Sequence, residues 1–513
     1  MRLAHGFALV ATITLPSVLA VACFDAVNDC ERNANLPCYA EATGGSSGTG
    51  LPPGCDPVEL EGGALGDACG VFVNPSVAPG GSGTQSSPFS SIAEAIAGSS
   101  GKAIFVCATA GDLVENVEIS AGVQLFGGLT CEDWKVASTR TSWTAKADAV
   151  PLKLLATPSA HVQGFDIVAK PGSGIEPTTL AGKSSIAVIA ENANATFVDV
   201  TLTAGAGWAG DPGASFMGRA PGSQGGNNGF DGNQGKGCAD GEGGPAKSPP
   251  NDCPGDGGDS SGGPGGSAMG EQDGGPGETD PRLGEPNGEG SMTCTTGAET
   301  GEAGHDGPNG NAGGKGTTAG AVLSSSGYQG DPGKAGEDGR AGQGGGGGAA
   351  RPTKINLCVN MIGYGGGSGG VGGCGGRAGG GGGAGGASIA LLSLQSTLTL
   401  RRVTLAASTG GAGGLGGDLQ LGGEGGEGGP GGAGATQACD GGPGGDGGSG
   451  GPGGGGAGGP SIGIAHTGAA PETPDGDVTI TVATSASLGG NGGNGNMGDN
   501  RGEDGLVGQI QSF

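Results

Sequence analysis

The chain contains 513 residues with a formal net charge of −27; 130 of the residues are glycine, and only 3% are aromatic. An acidic chain of this kind repels a phosphate backbone, which argues against a nucleic-acid partner. Glycine contributes no side chain to a core and loses the most backbone entropy on ordering, so the composition also excludes one evenly packed globule. The core must come from segments rich in Val, Ile, Leu and Phe, at roughly residues 88–205, 385–408 and 461–488.

The N-terminus has the features of a secretion signal. Arg2 supplies a positive charge, and the apolar run that ends at Ala22 has the length of a signal-peptide core. The sequence Leu19-Ala20-Val21-Ala22-Cys23 resembles the bacterial lipobox, in which the cysteine carries the lipid and becomes the mature N-terminus. We therefore predict a lipoprotein signal peptide over residues 1–22, lipidation of Cys23 and a membrane contact through that lipid. The alternative is ordinary signal cleavage, with Cys23 as a structural thiol.

The cysteine content indicates an oxidising compartment. The chain has 13 cysteines, and assigning Cys23 to a lipid leaves an even number that can form six disulfides. No two cysteines have the C-x-x-C spacing of a zinc or redox site, so we predict no metal centre built from them. Residues 23–79 are rich in Pro, Gly and Ser and contain four cysteines besides Cys23, and we predict a Cys-rich tether there.

Residues 80–130 have the pattern of a helix followed by closely spaced strands. Ser91 and Glu94 have the spacing of a capping box, and Ile92, Ala95 and Ile96 fall on one helical face. The following apolar segments begin at 103, 114 and 123, and each is short enough to be a strand. A capping helix followed by strands at regular spacing is typical of the start of a β-solenoid.

The order of these motifs resembles a known family. Gly81-Ser82-Gly83-Thr84, Pro88-Phe89, the short helix and Glu115-Asn116-Val117 resemble the opening of the pectate-lyase-like right-handed parallel β-helix. Leu125-Phe126-Gly127-Gly128, followed by Cys131, resembles the variant found in large glycine-rich secreted lipoproteins of predatory soil myxobacteria. The resemblance implies a fold and a location outside the cytoplasm rather than an activity. Within that fold, stacked coils would bring Cys107 close to Cys131, and we predict a disulfide between them.

Apolar strand segments with glycine-rich tails recur along the rest of the chain. We predict β-helix coils at 80–205, 388–410 and 461–513, the last including the C-terminal tail, with glycine-rich excursions at 206–387 and 411–460. The first excursion contains collagen-like Gly-x-y triplets. Because glycine-rich chains lack a core, we expect these excursions to be largely irregular. Packed polyproline-II-like segments and a collagen triple helix are the alternatives.

Four charged residues each precede a strand-like Val or Ile. They are Asp166, Asp199, Arg402 and Asp477. If the coils stack in register, these residues form one polar column on the outer face. Polysaccharide-cleaving β-helices place carboxylates and a basic residue on adjacent coils for calcium binding or acid–base chemistry. The alternative is a solvated face with weak ion pairs, and we predict no catalytic residue.

The sequence therefore favours a structural or adhesive protein over an enzyme. We expect a lipid-anchored cell-surface protein that presents acidic glycine-rich loops on a β-helix, with a polysaccharide or another surface ligand as its partner. Phe24 follows the lipidated cysteine where an inner-membrane protein resembling this class would have Asp, which favours the outer membrane. The alternatives are an extracellular polysaccharide lyase or hydrolase, and an envelope matrix protein stabilised by calcium; no other cofactor is predicted.

Overall fold

The regular secondary structure of the computed structural model is almost entirely β-strand, which confirms the predicted all-β class. The structure describes residues 51–513 apart from residues 58–59, 61–62, 110, 221–228, 230, 235–240, 246–252, 254–259, 269–271, 278–287, 352–362, 435 and 497–498. The signal peptide, Cys23 and the first part of the tether lie outside the described residues.

The elements follow in chain order as β1 (Gly70–Val73), α1 (Ile92–Gly98), β2 (Ala103–Cys107), β3 (Leu113–Val114), β4 (Val117–Ile119), β5 (Val123–Leu129), β6 (Thr141–Thr144), β7 (Leu152–Leu155), β8 (Ala160–Gln163), β9 (Phe165–Ala169), β10 (Ser185–Glu191), β11 (Asn194–Val198), β12 (Thr201–Ala204), β13 (Val322–Ser324), β14 (Gly327–Gln329), β15 (Ser388–Leu394), β16 (Thr397–Arg401), β17 (Val403–Ala407), β18 (Ser461–Thr467), β19 (Val478–Thr481), α2 (Gly493–Asn496) and β20 (Val507–Ser512). A 3₁₀ turn at Thr318–Gly320 precedes β13.

Eighteen of the strands form three parallel sheets of six strands each. Sheet 1 has the order β1-β2-β5-β8-β11-β16, sheet 2 has the order β3-β6-β9-β12-β17-β19, and sheet 3 has the order β4-β7-β10-β15-β18-β20. From β2 to β18 the chain visits sheets 1, 2 and 3 in rotation, so each strand pairs with the strand one round earlier. The register is continuous across the longest insertion, since Ser185 of β10 pairs with Ser388 of β15.

The core lies between the three sheets. Its buried side chains come from successive rounds at matching positions, such as Ile167, Leu202 and Leu405 of sheet 2. A second cluster covers the outer side of sheet 1, where the rings of Phe72, Phe105 and Phe126 stack on neighbouring strands with centroids 5.5 and 5.4 Å apart. Stacked aromatic rings at these distances add to the area that the sheet buries.

Residues with positive φ form the corner between sheets 3 and 1. Ala156, Asn192 and Gln395 occupy equivalent positions, with φ of 50°, 50° and 48°. A single residue in the left-handed region turns the chain sharply, and repetition at the same position keeps successive rounds in register. The left-handed backbone conformation is therefore determined by the position of the residue in the winding, because it recurs with three different side chains.

Helix α1 lies at the start of the winding and buries Ile92 and Ala95 against the core. The Ser91 hydroxyl accepts a hydrogen bond from the Glu94 N–H at 3.1 Å, which is the first half of the predicted capping box. The Glu94 carboxylate accepts hydrogen bonds from Ser90 instead of from the Ser91 N–H. The Glu115 carboxylate accepts hydrogen bonds from the first two N–H groups of the helix.

The glycine-rich segments form ordered rods. All of them leave the winding between a strand of sheet 2 and the next strand of sheet 3. We number seven of these segments as rod 1 (205–217), rod 2 (300–316), rod 3 (330–350), rod 4 (363–386), rod 5 (408–433), rod 6 (438–460) and rod 7 (487–493).

Backbone hydrogen bonds join neighbouring rods at every third residue. In rod 3, Gly336, Gly339 and Gly342 donate to the carbonyl groups of Gly379, Gly376 and Gly373 in rod 4, at 2.8–3.0 Å. Rod 4 in turn donates every third N–H to rod 6, and rod 5 donates to rod 4. A repeat of three residues per turn is that of polyproline II, which has no hydrogen bonds within one chain.

The expectation of largely irregular excursions is therefore wrong for these rods. Backbone N–H and C=O groups that are buried must find partners, and the inter-rod ladder supplies them without any side-chain core. Composition alone did not reveal this because the hydrogen-bond partners lie up to 202 residues apart, as between Gly207 of rod 1 and Thr409 of rod 5. The rods run antiparallel as well as parallel within one chain, which differs from a three-chain collagen helix.

Close packing of the rods explains the glycine content. A Cβ atom built on Gly376 would lie 2.1 Å from the Gln420 carbonyl oxygen, and one built on Gly373 would lie 2.1 Å from the Gly423 oxygen. Real Cβ contacts are never so short, so any other residue would push the rods apart. Positions that face away from neighbouring rods are free of this restriction, and there the sequence carries other residue types.

Two adjacent glycines of rod 2 provide a test of this packing. Gly313→Ala places a methyl group 2.0 Å from the Lys334 carbonyl oxygen, whereas Gly314→Ala places it 3.7 Å from the nearest atom, Lys334 Cδ. We expect G313A to lower the free energy of unfolding by about 1–3 kcal/mol, as overpacking does. We expect G314A to be neutral or slightly stabilising. Thermal and urea denaturation measure both; equal effects of the two variants would contradict the packing.

Two disulfides each join a rod to a glycine-rich segment outside the seven rods. Cys253 pairs with Cys374 of rod 4, and Cys294 pairs with Cys439 of rod 6. A third bond, Cys55–Cys69, closes a short loop before β1. Cys30, Cys38, Cys238 and Cys358 lie outside the described residues.

The two loop lengths lead to different stabilities on removal of a disulfide. The Cys253–Cys374 bond spans 121 residues and the Cys55–Cys69 bond spans 14. In the chain-entropy model, removing the disulfide that closes the longer loop lowers the free energy of unfolding by about 2 kcal/mol more than removing the one that closes the shorter loop. We therefore expect C253A/C374A to lower the urea midpoint more than C55A/C69A does. A larger loss from C55A/C69A would show that local packing, and not loop closure, determines the effect.

Candidate functional site

The structure places Asp199 and Arg402 next to each other at the corner between sheets 1 and 2. Arg402 Nε and Nη2 donate to the two carboxylate oxygens of Asp199, each at 3.0 Å. These hydrogen bonds to the Asp199 carboxylate raise the pKa of Arg402, so the guanidinium stays charged. Both side chains are more than one-third exposed, and a surface pair of this kind contributes about 0–1 kcal/mol.

Asp477 extends this column, but Asp166 does not belong to it. Val403 pairs with Val478, which sets Asp477 beside Arg402. Thr201 pairs with Asp166, so the position equivalent to Asp199 in the preceding round is Gly164. The predicted alignment was therefore displaced by two residues at Asp166, because a glycine with φ of 76° occupies the corner there.

Arg140 is the residue that the sequence analysis missed. Thr141 pairs with Phe165, so Arg140 is equivalent to Gly164 one round earlier. The column therefore begins with Arg140, whose Nη1 lies 3.5 Å from Asp166 and 3.2 Å from the Thr201 hydroxyl. Its position immediately before a strand could have identified Arg140, but the sequence pattern does not predict a strand over Thr141–Thr144.

A groove of about 490 Å³ lies beside this column. Its lining is mainly polar and backbone: Pro57, Gly127, Gly128, Val136, Ala137, Ser138, Thr139, Arg140, Gln163, Gly164, Asp166 and Asp199. Each carboxylate in the groove has an arginine partner. Among these lining residues there is neither histidine nor cysteine, and the paired charges are suited to hydrogen bonding with hydroxyl groups more than to proton transfer.

A second cavity of about 380 Å³ lies under the β13–β14 hairpin. Lys183 Nζ lies 3.6 Å from Asp148, whose carboxylate also accepts hydrogen bonds from Ser173. Burial raises the pKa of the Tyr328 hydroxyl, so this phenol remains a neutral hydrogen-bonding group. Lys153 fixes the hairpin by donating to the Ser325 carbonyl at 3.0 Å.

The predicted disulfide partners are bonded in the structure. The Cα atoms of Cys107 and Cys131 lie 5.0 Å apart, within the range that a disulfide requires. Cys107 ends β2, which pairs with β5, and Cys131 follows β5 by two residues. The bond therefore joins two adjacent rounds on the outer side of sheet 1.

Histidine makes structural contacts in this fold. His161 Nε2 lies 2.9 Å from the Gln163 side-chain oxygen, and its ring packs on Phe126 with centroids 5.1 Å apart. Burial lowers the pKa of His161, which keeps the imidazole neutral. His466 Nδ1 lies 3.0 Å from the Gly468 carbonyl oxygen.

Within the described ranges, one group of three potential metal ligands comes together: Cys294, Glu299 and Cys439. The two sulfur atoms are bonded to each other, so they do not offer thiolates to a metal. The Glu299 carboxylate instead accepts hydrogen bonds from Thr295, Thr296 and Gly297. This group is a turn held by a disulfide, and it does not support the calcium hypothesis.

No known protein family, curated protein or solved structure matches this chain. Within the part of the chain that the structure describes, no helix is both long and apolar enough to cross a bilayer.

The turn at Glu299 leads to a prediction about pH. The hydrogen bonds from Thr295 and the surrounding turn lower the pKa of Glu299 to about 2. A carboxyl with a lowered pKa stabilises the folded turn above its ordinary pKa, and this contribution disappears as the pH falls from about 4.5 toward 2. We expect the protection factors of the Thr296 and Gly297 amides, relative to an unstructured peptide at the same pH, to fall over that range, and E299Q to remove the dependence. NMR titration of the Glu299 carboxyl measures it directly; a midpoint near 4.5 would contradict the turn geometry.

Proposed function

We propose that this chain is an exported, lipid-anchored protein of the bacterial cell surface with a structural or adhesive role. Its scaffold is a right-handed parallel β-helix similar to that of the glycine-rich myxobacterial lipoproteins. Support for the scaffold comes from three parallel sheets visited in rotation and from the repeated corner geometry. Support for export comes from the N-terminal apolar run, the lipobox-like sequence before Cys23 and the four disulfides among the described cysteines.

The observation that carries this proposal is the hydrogen-bonded bundle of rods. A large part of the chain forms a rigid body whose interior is backbone and whose exterior carries the variable side chains. Such a body holds side chains at fixed positions, which suits surface presentation. The acidic residues are part of this fixed exterior; Glu424 of rod 5, for example, is well exposed and contacts Arg219 at 3.0 Å. The sequence predicts acidic, largely irregular loops, and the hydrogen-bonded rods provide an ordered surface in their place.

A polysaccharide-acting enzyme is the second candidate, because one groove is lined by both Asp166 and Asp199. The ion pairs with Arg140 and Arg402 argue for the structural role. The guanidinium of Arg402 binds both carboxylate oxygens of Asp199, and Arg140 Nη1 lies 3.5 Å from Asp166, so both carboxylates are engaged within the protein. The groove is therefore better suited to holding a sugar than to cleaving one.

Lipid attachment tests the proposal. Cells that express the chain should incorporate a clickable palmitate analogue into it, and the variant Cys23→Ala should lose the label. Added protease should digest the wild-type chain on intact cells if it faces outward. Cys69→Ala serves as the matched cysteine control and should keep the label. An unlabelled wild-type chain that stays in the cytoplasm would overturn the proposed function.

A further inference from the structure

The cavity under the β13–β14 hairpin is built from segments that lie far apart in the chain. One wall is the loop between β6 and β7, with Asp148 and Val150, and a second is the loop between β9 and β10, with Glu176 and Lys183. Both loops belong to the junction between sheets 2 and 3 from which the rods leave. The hairpin lies between rods 2 and 3 in the chain and supplies the third wall, with Tyr328.

Hydrogen bonds and apolar contacts fix these walls. The N–H and the hydroxyl of Ser173 donate to the two carboxylate oxygens of Asp148 at 2.7 and 3.0 Å, which joins the two loops. Leu323 and Tyr328 of the hairpin pack against the buried cluster that contains Ile186. The cavity is therefore formed before any ligand arrives, and binding does not have to order a loop.

The lining combines apolar side chains with hydroxyl groups. Val150, Ile186 and the Tyr328 ring supply apolar surface. The cavity volume of about 380 Å³ lies within the range of small-molecule sites, which is about 300–1,000 Å³. Serine and threonine residues add the hydroxyl groups: Thr178, Thr179, Ser184, Ser324 and Ser326.

Three further polar groups of the lining retain hydrogen-bonding capacity. Lys183 Nζ lies 3.6 Å from Asp148, which is longer than a hydrogen bond. Neither the Glu176 carboxylate nor the Tyr328 hydroxyl forms a hydrogen bond with any residue that the structure describes. A ligand therefore meets two donors and an acceptor in one cavity, whereas both carboxylates of the groove beside Arg140 are engaged by arginine.

We propose that this cavity binds a neutral sugar of one or two rings. The faces of a sugar ring are apolar and suit the Val150 and Ile186 side chains, while its hydroxyl groups both donate and accept. They can donate to Glu176 and accept from Lys183 and Tyr328. A free acid or amine meets a like charge in the lining whichever sign it carries. This inference rests on the proposed function and names a ligand for the adhesive role.

Saturation-transfer NMR on the purified full-length chain, in a detergent without a sugar headgroup, tests this inference. The neutral probes are glucose, galactose, mannose, maltose and cellobiose. Glucuronate serves as the acidic probe and lysine as the amine. We expect wild type to transfer saturation to at least one neutral sugar and to neither charged probe, and a titration with that sugar gives its Kd.

Tyr328→Phe removes only the hydroxyl group, which has no partner among the described residues. We expect Y328F to keep the wild-type melting temperature and to bind the sugar about two- to tenfold more weakly, which is the usual effect of removing one hydrogen bond. Glu176→Gln keeps the size of an exposed side chain, and we expect a loss of similar size. Glu427→Gln in rod 5 is the matched control, since Glu427 is also exposed but does not line the cavity, and it should bind like wild type.

Equal sugar binding by Y328F and wild type would place the sugar outside this cavity and would overturn the inference. Two other results would overturn it as well: no binding of wild type to any neutral probe, and binding to glucuronate or lysine alone. The palmitate label and protease accessibility do not depend on these results, so a failure here is distinguishable from a failure of the proposed function.

Discussion

The backbone hydrogen bond between neighbouring glycine rods is the interaction on which most of this molecule depends. Each rod is extended and has no hydrogen bonds of its own, so its buried N–H and C=O groups are satisfied only by its neighbours. Because a Cβ atom would separate the rods, glycine is required at the contact positions. Order in this part of the chain therefore comes from main-chain complementarity, whereas order in the three sheets comes from buried Val, Leu, Ile and Phe side chains.

The two parts of the structure differ in how well the sequence predicts them. The strand segments around Ser185, Ser388 and Ser461 repeat the same apolar pattern, and the structure pairs them in one continuous register. The helix at Ile92 follows from its cap and its apolar face. The rods have no such local signal, since the partner of a given glycine depends on how several distant segments pack together. The glycine content indicates low complexity whether such segments are ordered or irregular.

The polar column shows where a sequence alignment of coils reaches its limit. Asp199, Arg402 and Asp477 occupy equivalent corner positions, and each precedes a valine. Asp166 also precedes an apolar residue, but the corner position of its round is Gly164. Asp166 itself lies two positions later, within strand β9. Arg140 occupies the corner position before that. Only strand pairing separates Asp166 from Asp199, Arg402 and Asp477, because all four fit the same short pattern.

All of the glycine-rich segments leave the winding at the junction between sheets 2 and 3, and the winding continues in register after each of them. This arrangement separates the length of the rods from the geometry of the sheets. Because the inter-rod ladder repeats every three residues, the gain or loss of a whole triplet at a rod tip would preserve every remaining hydrogen bond. The gene could therefore drift in rod length by in-frame steps of nine nucleotides, while a step of one codon would shift glycine out of the contact positions. Repetitive coding sequence of this kind is prone to such slippage, so surface size becomes a trait that can evolve independently of the scaffold.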